Sequence, residues 1–162
     1  MARVLIVGCG CRGRELGKAL AEDGHAVRGT SRTRDGRAAI AAGGFEGVEA
    51  DPDRLGTVMQ QLAGTSVVCW LMGSAEGAAD AVEALHGARL RTLLERLVDS
   101  GVRGLVYEAA GTAPAAVLVA GAEEVRLAAT TWRMPGEVVL ADPAGAEWVS
   151  EMRAAVARVL AA

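Results

Sequence analysis

Short apolar runs alternate with longer segments of helical period from one end of the chain to the other. Val4-Leu5-Ile6-Val7 lies inside a strand predicted over Arg3 to Val7, and Leu16 and Leu20 mark the inner stripe of a helix over Cys11 to Asp23. Ala26 to Thr30 reads as a second strand, Gly36 to Ala42 as a short helix, and Gly47 to Ala50 as a third strand. Pro52 opens a helix over Asp53 to Leu62, in keeping with the preference for Pro in a first helical turn. Ser66 to Leu71 is rich in β-branched and aromatic residues and forms strand four. From Glu76 to Ser100 the pattern is helical, with Leu85, Leu90, Leu93, Leu94, Leu97 and Val98 on the apolar side and Gly101 as the stop. Strand five is Gly104 to Glu108, a helix follows over Ala115 to Ala129, Thr130 to Arg133 reads as strand six, and Ala144 to Leu160 as the last helix.

Strand and helix alternating in this way imply a parallel sheet covered on both faces. Parallel crossovers are right-handed, which leaves few arrangements. The expected fold is a three-layer, doubly wound α/β domain of about six strands in the order 3-2-1-4-5-6. The 162 residues suit one domain over 1–162, with no linker, repeat or low-complexity tract dividing it.

Composition narrows the field. Apolar residues make up 51% of the chain and aromatic ones 3%, so the core is built mainly from Ala, Val and Leu, as buried parallel strands require. Lys18 is the only lysine among the 17 Lys and Arg residues, a usage bias that carries no functional message. The net charge of −3 argues against general nucleic-acid binding. The longest apolar runs, Val67 to Gly73 and Ala113 to Ala122, are too short to span a bilayer, and Arg12 and Arg14 interrupt any signal-like segment. A cytoplasmic protein without membrane contact is expected. Cys9, Cys11 and Cys69 lack zinc spacing and read as small space-fillers, with Cys9 or Cys11 as the candidates for redox sensitivity.

The candidate chemistry lies in Gly8-Cys9-Gly10-Cys11-Arg12-Gly13, a GxGxxG turn between the first strand and the first helix. Gly8 permits the tight turn, Gly10 lets the backbone approach a diphosphate, and Gly13 lets helix and strand lie close. The helix start adds unpaired N–H groups and a positive dipole end. After strand two, where a carboxylate would bind a ribose 2′-hydroxyl, the chain reads Gly29-Thr30-Ser31-Arg32-Thr33-Arg34. Guanidiniums and hydroxyls suit a 2′-phosphate, with Arg12 adding charge to the same corner, so NADP is expected over NAD.

These motifs, with Ala50-Asp51 after strand three, Leu97-Val98-Asp99-Ser100-Gly101-Val102, Leu105-Val106-Tyr107, Ala122-Glu123-Glu124-Val125 and Thr131-Trp132-Arg133-Met134-Pro135-Gly136, make the chain resemble the short-chain dehydrogenase/reductase superfamily. The likeness is to its atypical and extended branches, which include nucleoside-diphosphate-sugar epimerase and NmrA-like proteins. It implies a cofactor site at Gly8, Gly10, Cys11, Arg12, Gly13, Thr30, Ser31, Arg32, Arg34, Asp51, Leu71 and Met72, with Asp51 beside the adenine, and a homodimer formed through the helices before strands five and six. The family's Tyr-x-x-x-Lys pair is missing: Tyr107 is the only Tyr, and Gly111 stands four positions on. The longer C-terminal portion that completes a substrate pocket in the extended branch is also missing.

Tyr107 and Glu108, near the C-terminal end of strand five, are the remaining acid–base candidates, and strand alternation makes one of them a packing residue. His86 reads as a surface partner of Glu83, and His25 as exposed. No metal site is expected. Trp70 and Trp132 fall at strand positions and read as core, and Trp148 as the anchor of the last helix. Three functions fit: an NADP(H)-binding protein used for redox sensing or regulation, an NADP-dependent oxidoreductase or epimerase-like enzyme with an unorthodox acid–base group, or a scaffold that keeps the sheet without the ligand.

Overall fold

The computed structural model describes residues 1–162. The elements are β1 (Arg3–Val7), α1 (Cys11–Glu22), β2 (Ala26–Ser31), α2 (Arg34–Ala42), β3 (Glu46–Glu49), α3 (Leu55–Met59), β4 (Val67–Trp70), α4 (Ala79–His86), α5 (Ala88–Val98), β5 (Gly104–Glu108), α6 (Ala115–Trp132), β6 (Gly136–Val139) and α7 (Trp148–Ala161). The six strands form one sheet in the order β3-β2-β1-β4-β5-β6, and every pairing is parallel. Fold class and strand order are those the sequence pattern predicts. No helix is long and apolar enough to cross a membrane.

The period-two alternation of the central strands sorts their side chains into two separate cores. Val4, Ile6, Val67, Cys69 and Val106 pack with Leu16 and Leu20 of α1, Ile40 of α2, and Trp148, Met152 and Val156 of α7. Leu5, Val7, Val68, Trp70, Leu105 and Tyr107 pack on the opposite face with Val58 of α3, Leu85 of α4, the α5 leucines, and Ala122 and Val125 of α6. The central strands β1, β4 and β5 are thus buried on both sides, as parallel strands between helical layers must be. Burying a Leu or Val contributes roughly 1.5–3 kcal/mol each, so these two layers supply most of the driving force.

Several elements differ from the sequence expectation. The sixth strand is Gly136–Val139, and Thr130 to Arg133 belongs instead to the end of α6 and its cap. The β-branched pair Thr130-Thr131 imitates a strand, but Ala128 is buried on the helical stripe and the Thr130 hydroxyl donates to the Arg126 carbonyl at 2.9 Å. Arg133 stops the helix in a left-handed conformation (φ 53°), and Pro135 follows. Trp132 is therefore 38% exposed on α6 and is not a core residue. The single helix expected over Glu76 to Ser100 breaks at Gly87 into α4 and α5. Pro52 sits in a turn closed by an Asp51–Arg54 bridge, which delays α3 to Leu55. The last helix begins at Trp148, after an Asp142 turn that occupies the residues expected as its first turn. Trp148 is fully buried and anchors α7, and Trp70 is core. His25 is half-buried, its Nδ1 accepting from the Ala2 N–H at 3.4 Å.

Gly121 of α6 packs tightly on β5: a Cβ there would stand 2.0 Å from the Tyr107 hydroxyl oxygen. Neither group is free to move: Tyr107 is fully buried and hydrogen-bonded. Gly121→Ala is expected to lower stability by about 1–3 kcal/mol, measured by urea denaturation, because overpacking here outweighs the gain in helix propensity. Stability equal to or above that of the native chain would show that α6 can shift outward.

Candidate functional site

β1 leads into the glycine turn through Gly8, whose φ of 82° is left-handed and whose Cβ position would fall 2.3 Å from Met72 Cε. The turn is tied down from the next strand. Gly8 N–H donates to the Thr30 hydroxyl at 3.2 Å, and Cys9 N–H donates to the Thr30 carbonyl at 3.2 Å. Cys9 itself points inward, and burial pushes its thiol up to about 11, so it is a packing residue. Cys11 is exposed and does not fill space as expected.

Gly10 is the N-cap of α1, and no side chain caps the helix. The N–H groups of Cys11, Arg12 and Gly13 therefore start the helix without intrahelical partners, and the dipole adds partial positive charge there. A Cβ on Gly10 would meet nothing within 4 Å, so the space above the turn is open. On Gly13 it would stand 3.3 Å from the Gly8 carbonyl oxygen and 3.4 Å from Ile6, which is the close helix–strand contact. Gly10 faces the outside of the protein, and Gly13 faces its own strand.

From the turn, a cleft of about 280 Å³ runs toward β2 and β3, lined by Gly8, Gly10, Arg14, Thr30, Ser31, Arg32, Asp53 and Met72 among others. Ser31 Oγ accepts from Thr33 N–H at 3.2 Å, and Thr33 Oγ1 caps α2 by accepting from Gly36 N–H at 3.0 Å. The two hydroxyls stand 3.4 Å apart, so that one can donate to the other and the second keeps its proton for a ligand. Arg14 and Arg32 line the cleft and form no ion pair. Arg34 is exposed in the first turn of α2 and does not line the cleft.

Asp51 lies in a neighbouring hollow, its Oδ1 accepting from Asp53 N–H at 2.9 Å. Asp53 takes the place on the cleft wall, with Arg89 Nε 3.5 Å from its Oδ1. The tight turn at Pro52 turns the two carboxylates in different directions.

Arg12 does not reach this corner. Its guanidinium lies 5.2 Å from the centre of the Trp148 ring, donates to the Gly145 carbonyl at 2.8 Å and pairs with Glu15. Arg14, one helical position past the last glycine of the triplet, supplies the charge in its stead. The pull of Trp148 on Arg12 is not readable from the sequence.

A second compartment of about 310 Å³ opens on the other side of Gly10, lined by Cys11, Arg12, Leu71, Ser74, Glu108, Pro143 and Trp148, with Gly8, Gly13 and Ala75. Glu108 is 4% exposed, and its Oε1 accepts from Gly73 N–H at 2.9 Å. Burial raises the carboxyl from its ordinary 4.5 to about 7, an effect that the Gly73 N–H, the nearby Trp148 indole and the Arg12 charge only partly offset. The buried Trp148 N–H and Arg12 Nε find no acceptor in hydrogen-bond geometry. The sequence marks Trp148 only as a helix anchor, because no local motif places residues from 143–148 beside residue 10.

Tyr107 faces the opposite way. Its hydroxyl stands 2.6 Å from His86 Nδ1 and 3.3 Å from the Leu118 carbonyl, while His86 Nε2 is 2.9 Å from the Met72 carbonyl. Burial lowers the His86 pKa and raises that of Tyr107, so both are neutral. In the neutral ring Nε2–H donates to Met72, and the single tyrosine proton goes to Nδ1, the nearer acceptor. His86 is thus a buried residue and not the surface partner of Glu83. With Val82 and Leu85 it lies on the inner side of α4, and Glu83 is exposed. No three His, Cys, Asp or Glu side chains converge as a metal-binding group.

A folded-state carboxyl pKa above the unfolded one means that the native protein holds a proton which the unfolded chain releases, so stability falls as pH rises from 4.5 to about 7. Through Glu108 alone the native chain should lose on the order of 3 kcal/mol across that interval, and Glu108→Gln should lack that slope in urea denaturation. Equal slopes for the two proteins would place the carboxyl in water.

No family model matches the sequence, and no curated protein matches it. Solved structures do. A short-chain dehydrogenase/reductase superfamily protein from Agrobacterium tumefaciens with bound NAD superposes with a TM-score of 0.68 at 22% identity, over 84% of this chain and 48% of that one. A putative NAD-dependent epimerase/dehydratase from Bacillus halodurans gives 0.69 at 18% identity, over 85% and 69%. The Citrobacter sp. triphenylmethane reductase complexed with NADP(H) gives 0.63 at 16% identity, over 84% and 48%. The chain spans about half the length of the Agrobacterium and Citrobacter proteins. At these identities the likeness is one of fold, and the chain has a Rossmann α/β fold like that of these dehydrogenase, epimerase and reductase structures.

Proposed function

We propose that this protein binds NADP(H) across the glycine turn and serves in redox sensing or in regulation of a partner. The observation that carries the proposal is the open, uncapped start of α1 beside two unpaired guanidiniums. The N–H groups of Cys11, Arg12 and Gly13 would hold the diphosphate. Ser31, Arg32 and Arg14 would hold the 2′-phosphate, with Arg34 at its outer rim, where no carboxylate stands to prefer a free 2′-hydroxyl. Asp53, more than Asp51, faces the adenosine end, and Met72 and Leu71 flank the turn on its two sides. The bound dinucleotide supplies reversible hydride chemistry.

A use without turnover is supported by the lack of a competent Tyr-Lys pair: the Tyr107 hydroxyl faces His86, and Lys18 is exposed on α1. The second reading, an oxidoreductase or epimerase-like enzyme, is favoured by Glu108, which lines the compartment beyond the turn. NADPH consumption with a carbonyl compound, abolished in Glu108→Gln, would establish that reading over the first. The cytoplasm is the proposed location, where the three free cysteines stay reduced.

The homodimer we propose must use α6. The α5 leucines Leu90, Leu93, Leu94 and Leu97 are all directed into the core, whereas Val119, Leu127 and Trp132 of α6 stay exposed. Sedimentation at micromolar concentration should give twice the chain mass, and Leu127→Glu should halve it; a native monomer removes the dimer from the proposal.

For the nucleotide, fluorescence titration should show NADPH binding at least tenfold tighter than NADH. Arg32→Ala should weaken NADPH by about tenfold or more, the worth of one charge-assisted hydrogen bond, and leave NADH nearly unchanged. Tighter binding of NADH by the native protein would reject the 2′-phosphate assignment.

A further inference from the structure

Glu108 is the buried carboxyl of the compartment beyond Gly10. Glu108 ends β5 on the face shared with α1 and α7, and its carboxyl belongs to the same wall as Cys11, Arg12 and Gly13. Backbone N–H from Gly73 fixes one oxygen, and Gly73 itself is locked, since a Cβ there would lie 1.9 Å from the Ala110 carbonyl oxygen and 2.8 Å from Glu108 Oε1. The carboxyl is therefore held still, out of water, at the edge of the space above the turn.

Its electrostatic neighbours are few. Arg12 of α1 is the charged side chain that acts on it, and Arg12 is already engaged with Glu15, Gly145 and the Trp148 ring. α7 contributes the Trp148 indole, which carries no charge, and the β6 residue in register is Val139. Tyr107 precedes it in β5 but lies neutral on the other face. The exposed Cys11 thiol is the remaining titratable group on the compartment wall. With so little to screen or pair it, the charge state of Glu108 responds directly to whatever charge enters the compartment.

This inference rests on the nucleotide reading above. With adenosine toward Ser31 and Arg32 and the diphosphate on the α1 start, the other half of a dinucleotide extends past Gly10 into the Glu108 compartment. That half carries a positive ring when oxidised and a neutral one when reduced.

We propose that Glu108 determines which redox state of the dinucleotide the site prefers, by exchanging a proton when the nucleotide binds: as carboxylic acid it accepts the reduced form, and as carboxylate it favours the oxidised one. The diphosphate raises the proton affinity of the carboxyl in either complex, and the positive ring counteracts that rise in one of them alone. The two complexes consequently hold different amounts of proton at the same pH. By linkage, the ratio of affinities for NADP⁺ and NADPH must change with pH, rising toward NADP⁺ as the solution becomes more alkaline.

Calorimetric titration of the full chain with NADPH and with NADP⁺ at pH 8, in two buffers of different ionisation enthalpy, counts the protons. The expected result is uptake approaching one proton with NADPH and clearly less with NADP⁺. Competition between the nucleotides from pH 6 to 9 should show the preference moving toward NADP⁺ by about tenfold, equivalent to one pKa unit between the complexes. In Glu108→Gln both the proton uptake and the pH dependence should vanish. Equal proton counts for the two nucleotides in the native protein overturn the proposal whether or not the Gln variant folds, as does a pH-dependent preference that survives in a folded Gln variant. Failure of the native protein to bind either nucleotide refutes the nucleotide reading itself, a result distinct from binding without proton exchange.

Discussion

The pair of hydrogen bonds that Thr30 makes to the glycine turn is the constraint on which the site depends. Thr30 is buried at the end of β2, and its hydroxyl and carbonyl accept from Gly8 and Cys9. These bonds saturate the N–H groups at the start of the turn and leave those of Cys11, Arg12 and Gly13 as the ones without partners. An unpaired N–H at a helix start is tolerable only where solvent or an anion can reach it. The fold meets that condition by leaving Gly10 open and placing the deeper glycines against the protein. The accessibility of these N–H groups thus follows from where the turn's own backbone bonds end.

The second organising feature is the alternation of β5. Two adjacent residues with acid–base side chains are sent to opposite layers, because successive strand side chains point to opposite faces. Tyr107 enters the layer of α4, α5 and α6, where His86 satisfies its hydroxyl and Gly121 makes room for it. Glu108 enters the layer of α1 and α7, where the Gly73 N–H holds it beside the turn. The missing Tyr-Lys pair is therefore more than an absent lysine: the one tyrosine is turned away from the cleft and committed to a buried contact. The His86 bond to the Met72 carbonyl links that contact to the cleft wall, since Met72 lines the cleft that runs toward β2 and β3.

Several of the departures from the sequence pattern share one cause. Thr130-Thr131-Trp132 has strand-like composition but continues a helix, because Ala128 and the residues before it had already fixed the 3.6-residue register and Arg133 supplied the stop. The Glu83 spacing makes His86 resemble a surface residue, but Val82 and Leu85 set the buried side of α4 and His86 lies on it. Propensity describes single residues, whereas register depends on what the neighbouring turns bury.

The strand order, the two-layer burial of β1, β4 and β5, and the glycine turn were legible because each rests on local period or on a short motif whose residues are adjacent in the chain. Arg32 and Ser31 were legible for the same reason, being fixed to the end of β2. What only the tertiary structure decided was the direction of the side chains around the cleft: Arg12 onto Trp148, Arg14 in its place, Asp53 in place of Asp51, and Glu108 into the wall beside residue 10. Those outcomes depend on contacts between segments as much as 133 positions apart, as between Arg12 and Gly145. Neither period nor motif encodes such distances, because they are set by how helices and loops pack over the sheet once it has formed.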